Sequence, residues 1–258
     1  MNKALSTFAR RTLLAACIAG GLAAATHTHA ASWSWGGEQV QGSGRVVKQV
    51  RQVGNFNGLS LSVPGRVELR IGNSEGVTVE ADDNVLPLIE TVVENGTLEI
   101  RPVRRNLNLH SKSIHVVVQA RSIERLALGG SGSIDADALR ARRLQVDIGG
   151  SGSIGLKGIE GDAVSVSLGG SGDLKAARGT VGKLTVSIGG SGDVDLGRVQ
   201  AGSASVSVAG SGEATVWARN ELSATIAGSG DVNYYGDPRV SKSSVGSGEV
   251  RRIGASPQ

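Results

Sequence analysis

Through the second half of the chain, apolar and polar residues alternate in short runs that break at glycine and then resume. Leu184-Thr185-Val186-Ser187-Ile188 is one such run, and Asp193-Val194-Asp195-Leu196 takes the alternation up again after Gly190-Ser191-Gly192. A period of two puts every second side chain on one face of a strand, so each unit reads as strand, turn, strand. The turn recurs at a fixed interval: Gly130, Gly150, Gly170, Gly190, Gly210, Gly228 and Gly246 each open a Gly-Ser-Gly, at spacings of 20, 20, 20, 20, 18 and 18 residues. Such a period marks stacked units that share one core.

Alignment on the turn predicts which residues face inward. Leu144, Val146 and Ile148 fall in column with Val164, Val166 and Leu168, then Leu184, Val186 and Ile188, then Ala204, Val206 and Val208, then Leu222, Ala224 and Ile226. After the turn a second column runs through Ile154 and Leu156, Leu174 and Ala176, Val194 and Leu196, Ala214 and Val216, and Val232 and Tyr234. One unit cannot bury two such faces alone, but stacking at the strand spacing of about 4.8 Å closes a continuous interior. The expected fold is therefore all-β: a β-solenoid of the single-stranded right-handed β-helix type, with Gly-Ser-Gly coils over 123–250 and a tail over 251–258. In the last unit Val240, Lys242 and Ser244 take the aliphatic positions, so the terminal coil turns polar, and Tyr234, Tyr235, Asp237 and Pro238 are placed to help close that end. An uncapped end would invite end-to-end pairing of two molecules, and an end-to-end oligomer is carried as an expectation about partners.

Over 45–122 the alternation continues without a repeat. Val46 to Val53, Leu59 to Val63, Val67 to Ile71, Val77 to Ala81 and Ile114 to Val118 read as strands, and this part is expected to extend the same core with irregular coils. Asn95-Gly96, between Thr91 to Glu94 and Thr97 to Ile100, signals a hairpin, because a type I′ turn needs positive φ at both positions. Asn84 to Ile89 reads as a short helical turn interrupted at Pro87. Residues 31–44 are glycine-rich and aperiodic and read as a flexible lead-in; Trp33 and Trp35 there either form a sticky patch or fold back over the open first coil.

Residues 1–30 have the layout of a signal peptide. Lys3, Arg10 and Arg11 are its basic start, Leu13 to Ala25 its apolar run, and Thr28-His29-Ala30 a small-residue cleavage site, with cleavage between Ala30 and Ala31. Arg10-Arg11 also fits twin-arginine export, and Leu14-Ala15-Ala16-Cys17 has the outline of a lipoprotein box with apolar residues continuing past it. The apolar run is shorter than the roughly 20 residues of a membrane-spanning helix, so no transmembrane segment is expected in the mature chain. The protein is predicted to be exported, to the periplasm or to the extracellular side or cell surface.

Charge narrows the partners. The full chain carries 27 Lys and Arg against 23 Asp and Glu, and cleavage removes three basic residues, leaving 24 against 23. The mature protein is nearly neutral, which argues against nucleic acid. Cys17, the one cysteine, leaves with the signal, so no disulfide is expected. With 3% aromatic residues the core must be built from Val, Ile, Leu and Ala.

The glycine motif lacks the helix start and following Lys-Ser or Lys-Thr of a phosphate loop, so it reads as corner geometry and no cofactor is expected. Asp173, Asp193, Glu213, Asp231 and Glu249 follow five successive turns and form an acidic ladder. It admits two readings: Ca²⁺ held between coils, or carboxylates that accept N–H groups of their own turns. Ser165 and Ser167, Thr185 and Ser187, Ser205 and Ser207, Ser223 and Thr225, and Ser241 and Ser243 form an outward hydroxyl face, which reads either as a recognition surface for sugars or ice or as ordinary strand composition. His110 and His115 are expected at the surface on opposite strand faces, too far apart in direction to share a metal.

Asp83-Asn84-Val85-Leu86, then Asn95-Gly96-Thr97-Leu98-Glu99-Ile100, then runs such as Ser187-Ile188-Gly189-Gly190-Ser191-Gly192-Asp193-Val194 resemble the "putative autotransporter adhesin head GIN domain" family of bacteria, over roughly Val50 to Val250. The resemblance implies an exported β-helical protein and brings no catalytic or binding residues. An autotransporter carries a membrane barrel after its passenger, and eight residues follow Val250 here, so the chain is not expected to export itself. The expected function is a non-catalytic structural or binding protein of the envelope, adhesin-like, with a surface glycan or another envelope protein as partner. The competing expectation is a carbohydrate-active enzyme, a lyase or hydrolase, on the same scaffold; short coils with little loop to wall a groove argue against it.

Overall fold

The computed structural model describes residues 38–111 and 113–257. The signal segment with its cleavage pair Ala30 and Ala31, and Trp33 and Trp35 of the lead-in, lie outside the described residues. Among the described residues there is no α-helix, and no helix is long and apolar enough to cross a membrane.

The chain winds into a β-solenoid. Each coil lays a strand before the turn, such as Arg143–Gly150, and a strand after it, such as Asp173–Ala176, onto the coil before, parallel and in register. Val146 lies opposite Val166, Val166 opposite Val186, and Val186 opposite Val206. Both aliphatic columns predicted from the alternation are buried, except that Tyr234 is half-buried near the end of the stack. A third set of inward residues closes the coil where the alternation is lost: Leu139, Ile159, Val181, Val199, Ala201 and Ala218 are all buried. One core cluster runs from Phe56 to Val232, so the irregular first part and the repeats share an interior.

From Gly150 onward the corner glycines are required by two separate constraints. Gly190 has φ of 139°, a left-handed conformation that glycine adopts without steric cost. A Cβ at Gly190 would also stand 2.2 Å from the Gly170 carbonyl oxygen one coil below. That oxygen accepts the N–H of Ser191 at 2.9 Å, and the same bond joins Ser171 to Gly150 and Ser211 to Gly190.

The first part of the chain departs from a simple continuation. Gly58–Leu61 and Arg66–Ile71 form a coil that sits between one made of Thr97–Pro102 with His115–Ala120 and one made of Arg125–Gly130 with Ser133–Arg140. Sequence order and stacking order therefore differ. At the outer end the pairing becomes antiparallel: Val46–Arg51 and His115–Ala120 flank Gly76–Asp82, and Ile89–Glu94 pairs with Thr97–Pro102. The Asn95-Gly96 hairpin has φ of 50° and 74°, as its turn type demands. Leu86–Leu88 is a single 3-10 turn. Pro87 lies within it and does not interrupt it, because the first positions of a helical turn have no use for an N–H.

Glu38–Gln41 pairs in parallel with Leu107–His110, and a set of polar side chains clips the chain that follows. Asp82, 2% exposed, accepts the Gly44 N–H at 2.9 Å and the Ser111 hydroxyl at 2.5 Å. Asn84 accepts the Ser43 N–H at 2.9 Å and donates to the Gln41 carbonyl at 2.8 Å. Asp83 takes the Arg45 guanidinium and the Ser43 hydroxyl, which together hold its carboxyl below the usual range, the hydroxyl most strongly. The Asp83-Asn84 motif thus fastens 41–45 to the stack. Asp82→Ala leaves the Gly44 N–H and Ser111 hydroxyl without their partner, and we expect a loss of about 1–3 kcal/mol in denaturant unfolding together with faster proteolysis near Gly42.

Candidate functional site

Outward side chains on the face after the turn stand in columns, because parallel in-register stacking places like positions one above another. Asp173, Asp193, Glu213 and Asp231 lie in register, with Glu249 on the coil beyond. Asp193 accepts the N–H of Glu213 at 3.1 Å, and Asp231 accepts that of Glu249 at 2.8 Å. The donor is the backbone of the next coil, where the sequence suggested the carboxylate's own turn. Glu213 further accepts from Asn233 at 2.7 Å. Among the described residues no three His, Cys, Asp or Glu side chains gather as a metal-binding set.

The neighbouring column reads Glu68, Asp135, Gly155, Lys175, Asp195 and Thr215 up the stack. Gly155 alone carries no side chain, and its place is a notch in the face. Around it lies a cleft of about 520 Å³ lined by charged side chains with Gly155 and Ala177, while the bordering Leu69, Ala136 and Leu156 belong to the buried core. Three cations, Arg66, Lys157 and Lys175, face three carboxylates, Glu68, Asp135 and Asp137. Arg66 pairs with Asp135, Lys157 with Asp137, and Lys175 with Asp195, each at 2.8 Å. Arg70 pairs with Glu68, also at 2.8 Å. Lys175 and Ala177 also line a second cleft of about 860 Å³ that holds Gly197, Thr215, Tyr235 and the tail from Ile253 to Pro257. The two clefts adjoin at Lys175 and Ala177.

Two of these pairs, Arg70 with Glu68 and Lys157 with Asp137, favour the charged forms of their members. The hydrogen bond from Arg70 holds the Glu68 carboxyl below its usual range, and that from Lys157 does the same to Asp137. Asp137 in turn raises Lys157 above the ordinary lysine value. A carboxylate so lowered contributes its pairing at neutral pH and loses it only as pH falls below the ordinary range of about 4. A general acid for glycoside cleavage needs the opposite shift, a carboxyl held protonated near neutral pH. Glu68, Asp137 and Lys157 all shift toward the charged form.

His115, expected at the surface, is half-buried and lines the cleft beside Arg66, whereas His110 is exposed on a separate strand. The alternation gave no sign of the cleft, since Gly155 is one of 39 glycines and acquires meaning only when its column is assembled. On the opposite face the hydroxyls form the expected ladders: Ser165, Thr185, Ser205, Ser223 and Ser241 in one, Ser167, Ser187, Ser207, Thr225 and Ser243 in the other.

A filled aliphatic interior with laddered polar side chains on flat outer faces defines a β-solenoid repeat protein. The chain belongs to the family described as "Putative auto-transporter adhesin, head GIN domain", which it matches over residues 55–238. It is similar to a solved "putative lipid binding protein" of Parabacteroides distasonis ATCC 8503, at 26% identity and a TM-score of 0.70 over 84% of this chain and 100% of that one. A "putative adhesin" of Bacteroides fragilis NCTC 9343 shares the fold at 22% identity and a TM-score of 0.77, over 83% of this chain and 100% of that one. Another "putative adhesin" of Parabacteroides distasonis ATCC 8503 does so at 21% and 0.64, over 84% and 100%. No curated protein matches the chain.

Proposed function

We infer that the protein is an exported, non-catalytic, adhesin-like component of the bacterial envelope that holds a neutral glycan in the cleft over Gly155. The observation that carries this is the make-up of the cleft: three cations balanced by three carboxylates around the notch at Gly155. A balanced, ion-paired rim offers hydrogen-bond donors and acceptors to hydroxyl groups without selecting a charged ligand, and the missing side chain at Gly155 leaves room for a sugar ring. Export rests on the signal layout of residues 1–30 and on the family name. The Parabacteroides relative's name points to lipid, but here aliphatic side chains fill the interior from Leu59, 0% exposed, to Ile226, 1% exposed, so any ligand is seated outside.

The test is an array of neutral, sulfated and uronic-acid oligosaccharides, read with the mature protein and with Gly155→Gln. A Cβ at Gly155 would approach only the end of the Asp135 side chain, at 3.1 Å, so the variant fills the notch without breaking the coil. We expect neutral glycans to be retained by the parent, at least tenfold less by the variant, and recovered at unchanged length. Equal retention by the variant would remove the cleft from the proposal, and shortened glycans would establish an enzyme.

A further inference from the structure

The hydroxyl face carries a cleft of its own, of about 580 Å³, where the Ser165 and Thr185 ladder begins. One outward column crosses it, reading Thr97, Gly58, Arg125, Gln145, Ser165 and Thr185 on successive coils. Beside that column runs another, Arg143, Ala163 and Lys183. Ala163 is small, so a gap opens between two cations whose backbone positions are two coil spacings, or about 10 Å, apart. The charge here is not balanced: Arg125, Arg143 and Lys183 line the cleft with one carboxylate, Glu124. Glu124 already accepts from Asn57 at 3.3 Å, and Arg125 donates to Gln145 at 3.2 Å. In the adjoining hollow Arg142 faces Asp162 at 3.8 Å. Among the described residues Arg143 and Lys183 have no ion-pair partner, whereas Arg66, Lys157 and Lys175 of the Gly155 cleft each have one at 2.8 Å.

We propose that this cleft is a second saccharide site, separate from the one over Gly155, and that it takes an acidic sugar chain bearing carboxylate or sulfate groups. Arg143 and Lys183 bind the acid groups, the guanidinium through paired N–H donors and the ammonium as a point charge. The side chains between them are uncharged and polar: Gln145, Ser165 and Thr185 supply amide and hydroxyl partners for the sugar's own hydroxyls. That mixture separates an acidic saccharide from a bare inorganic anion, which has a use for the cations and none for the amide and hydroxyls. The gap over Ala163 works in the same direction, since a chain with acid groups at intervals can meet both cations while its ring lies between them. Electrostatic attraction in a solvent-exposed cleft is screened, so binding weakens as salt is added.

The test titrates the mature protein with an oligogalacturonate, a sulfated galactan oligomer and a neutral galactan oligomer of equal length. Arg143→Gln combined with Lys183→Gln alters two exposed side chains and should leave the circular dichroism spectrum unchanged. We expect the parent to bind an acidic oligomer in a salt-dependent way and the double variant to bind it at least tenfold less. Gly155→Gln should bind the acidic oligomer as the parent does, so this site and the neutral-glycan cleft stand or fall separately. Any of four results would overturn the proposal: no acidic oligomer bound by the parent, undiminished binding by the double variant, displacement of the oligomer by inorganic sulfate at equal ionic strength, or binding to anionic phospholipid vesicles in place of acidic oligosaccharide.

Discussion

Val186→Asp should abolish cooperative folding at 37 °C. Val186 is 1% exposed and stacks between Val166 and Val206 in the middle of the repeat, where every neighbour in its column is aliphatic. A carboxylate there loses its water and gains no partner, an effect of several kcal/mol against a typical total stability of about 5–15 kcal/mol. Because coils are stabilised largely by their neighbours, the damage spreads to the coils on both sides. Ser187→Asp, one position along and exposed, is the control and should melt within a few degrees of the parent. Thermal unfolding followed by circular dichroism decides the matter, and a Val186→Asp protein that melts with the parent would refute the shared interior.

The second large effect separates two roles of glycine at the corners. Gly190→Ala places a Cβ 2.2 Å from the Gly170 carbonyl oxygen at a φ of 139°, so it combines backbone strain with a collision against main chain that cannot move without disturbing the stack. Gly130→Ala, at a φ of 95°, meets nothing within 4 Å and suffers the strain alone. Strain of this kind is worth about 1–3 kcal/mol, and the collision should roughly double it. Urea unfolding of the two variants should therefore rank Gly190→Ala well below Gly130→Ala. Equal losses would mean that conformation alone explains the motif.

The repeated half was legible because stacking imposes the same requirement on each coil: Leu144, Val164 and Leu184 are apolar for one reason, repeated every 20 residues. Where the coil turns back, one buried residue such as Ile159 suffices, and a lone aliphatic among glycines has no period to reveal it. In the first half, alternation identified most of the strands, though not Glu38–Gln41 or Leu107–His110, and did not show how they pair. Gly76–Asp82 alternates as a parallel strand would, yet it pairs antiparallel on both sides, since the inward and outward faces of a strand are the same in either case. The Glu38–Gln41 strand escaped notice because it is held by main-chain pairing and by Asn84 from more than forty residues away. The cleft was hidden for a related reason: its parts lie on several coils, from Arg66 to Lys175, and meet only in the folded stack.

The coil formed by Gly58–Ile71 has a neighbour on one side that is not complete until Ala120 and on the other until Arg140. As the polypeptide emerges from its N-terminus, this early piece has nothing to rest on and must wait for later chain to supply both flanks. Closing those long loops costs entropy before any contact offsets it, so the slow step of folding belongs to the first half, after which the repeats can add one by one on an existing template.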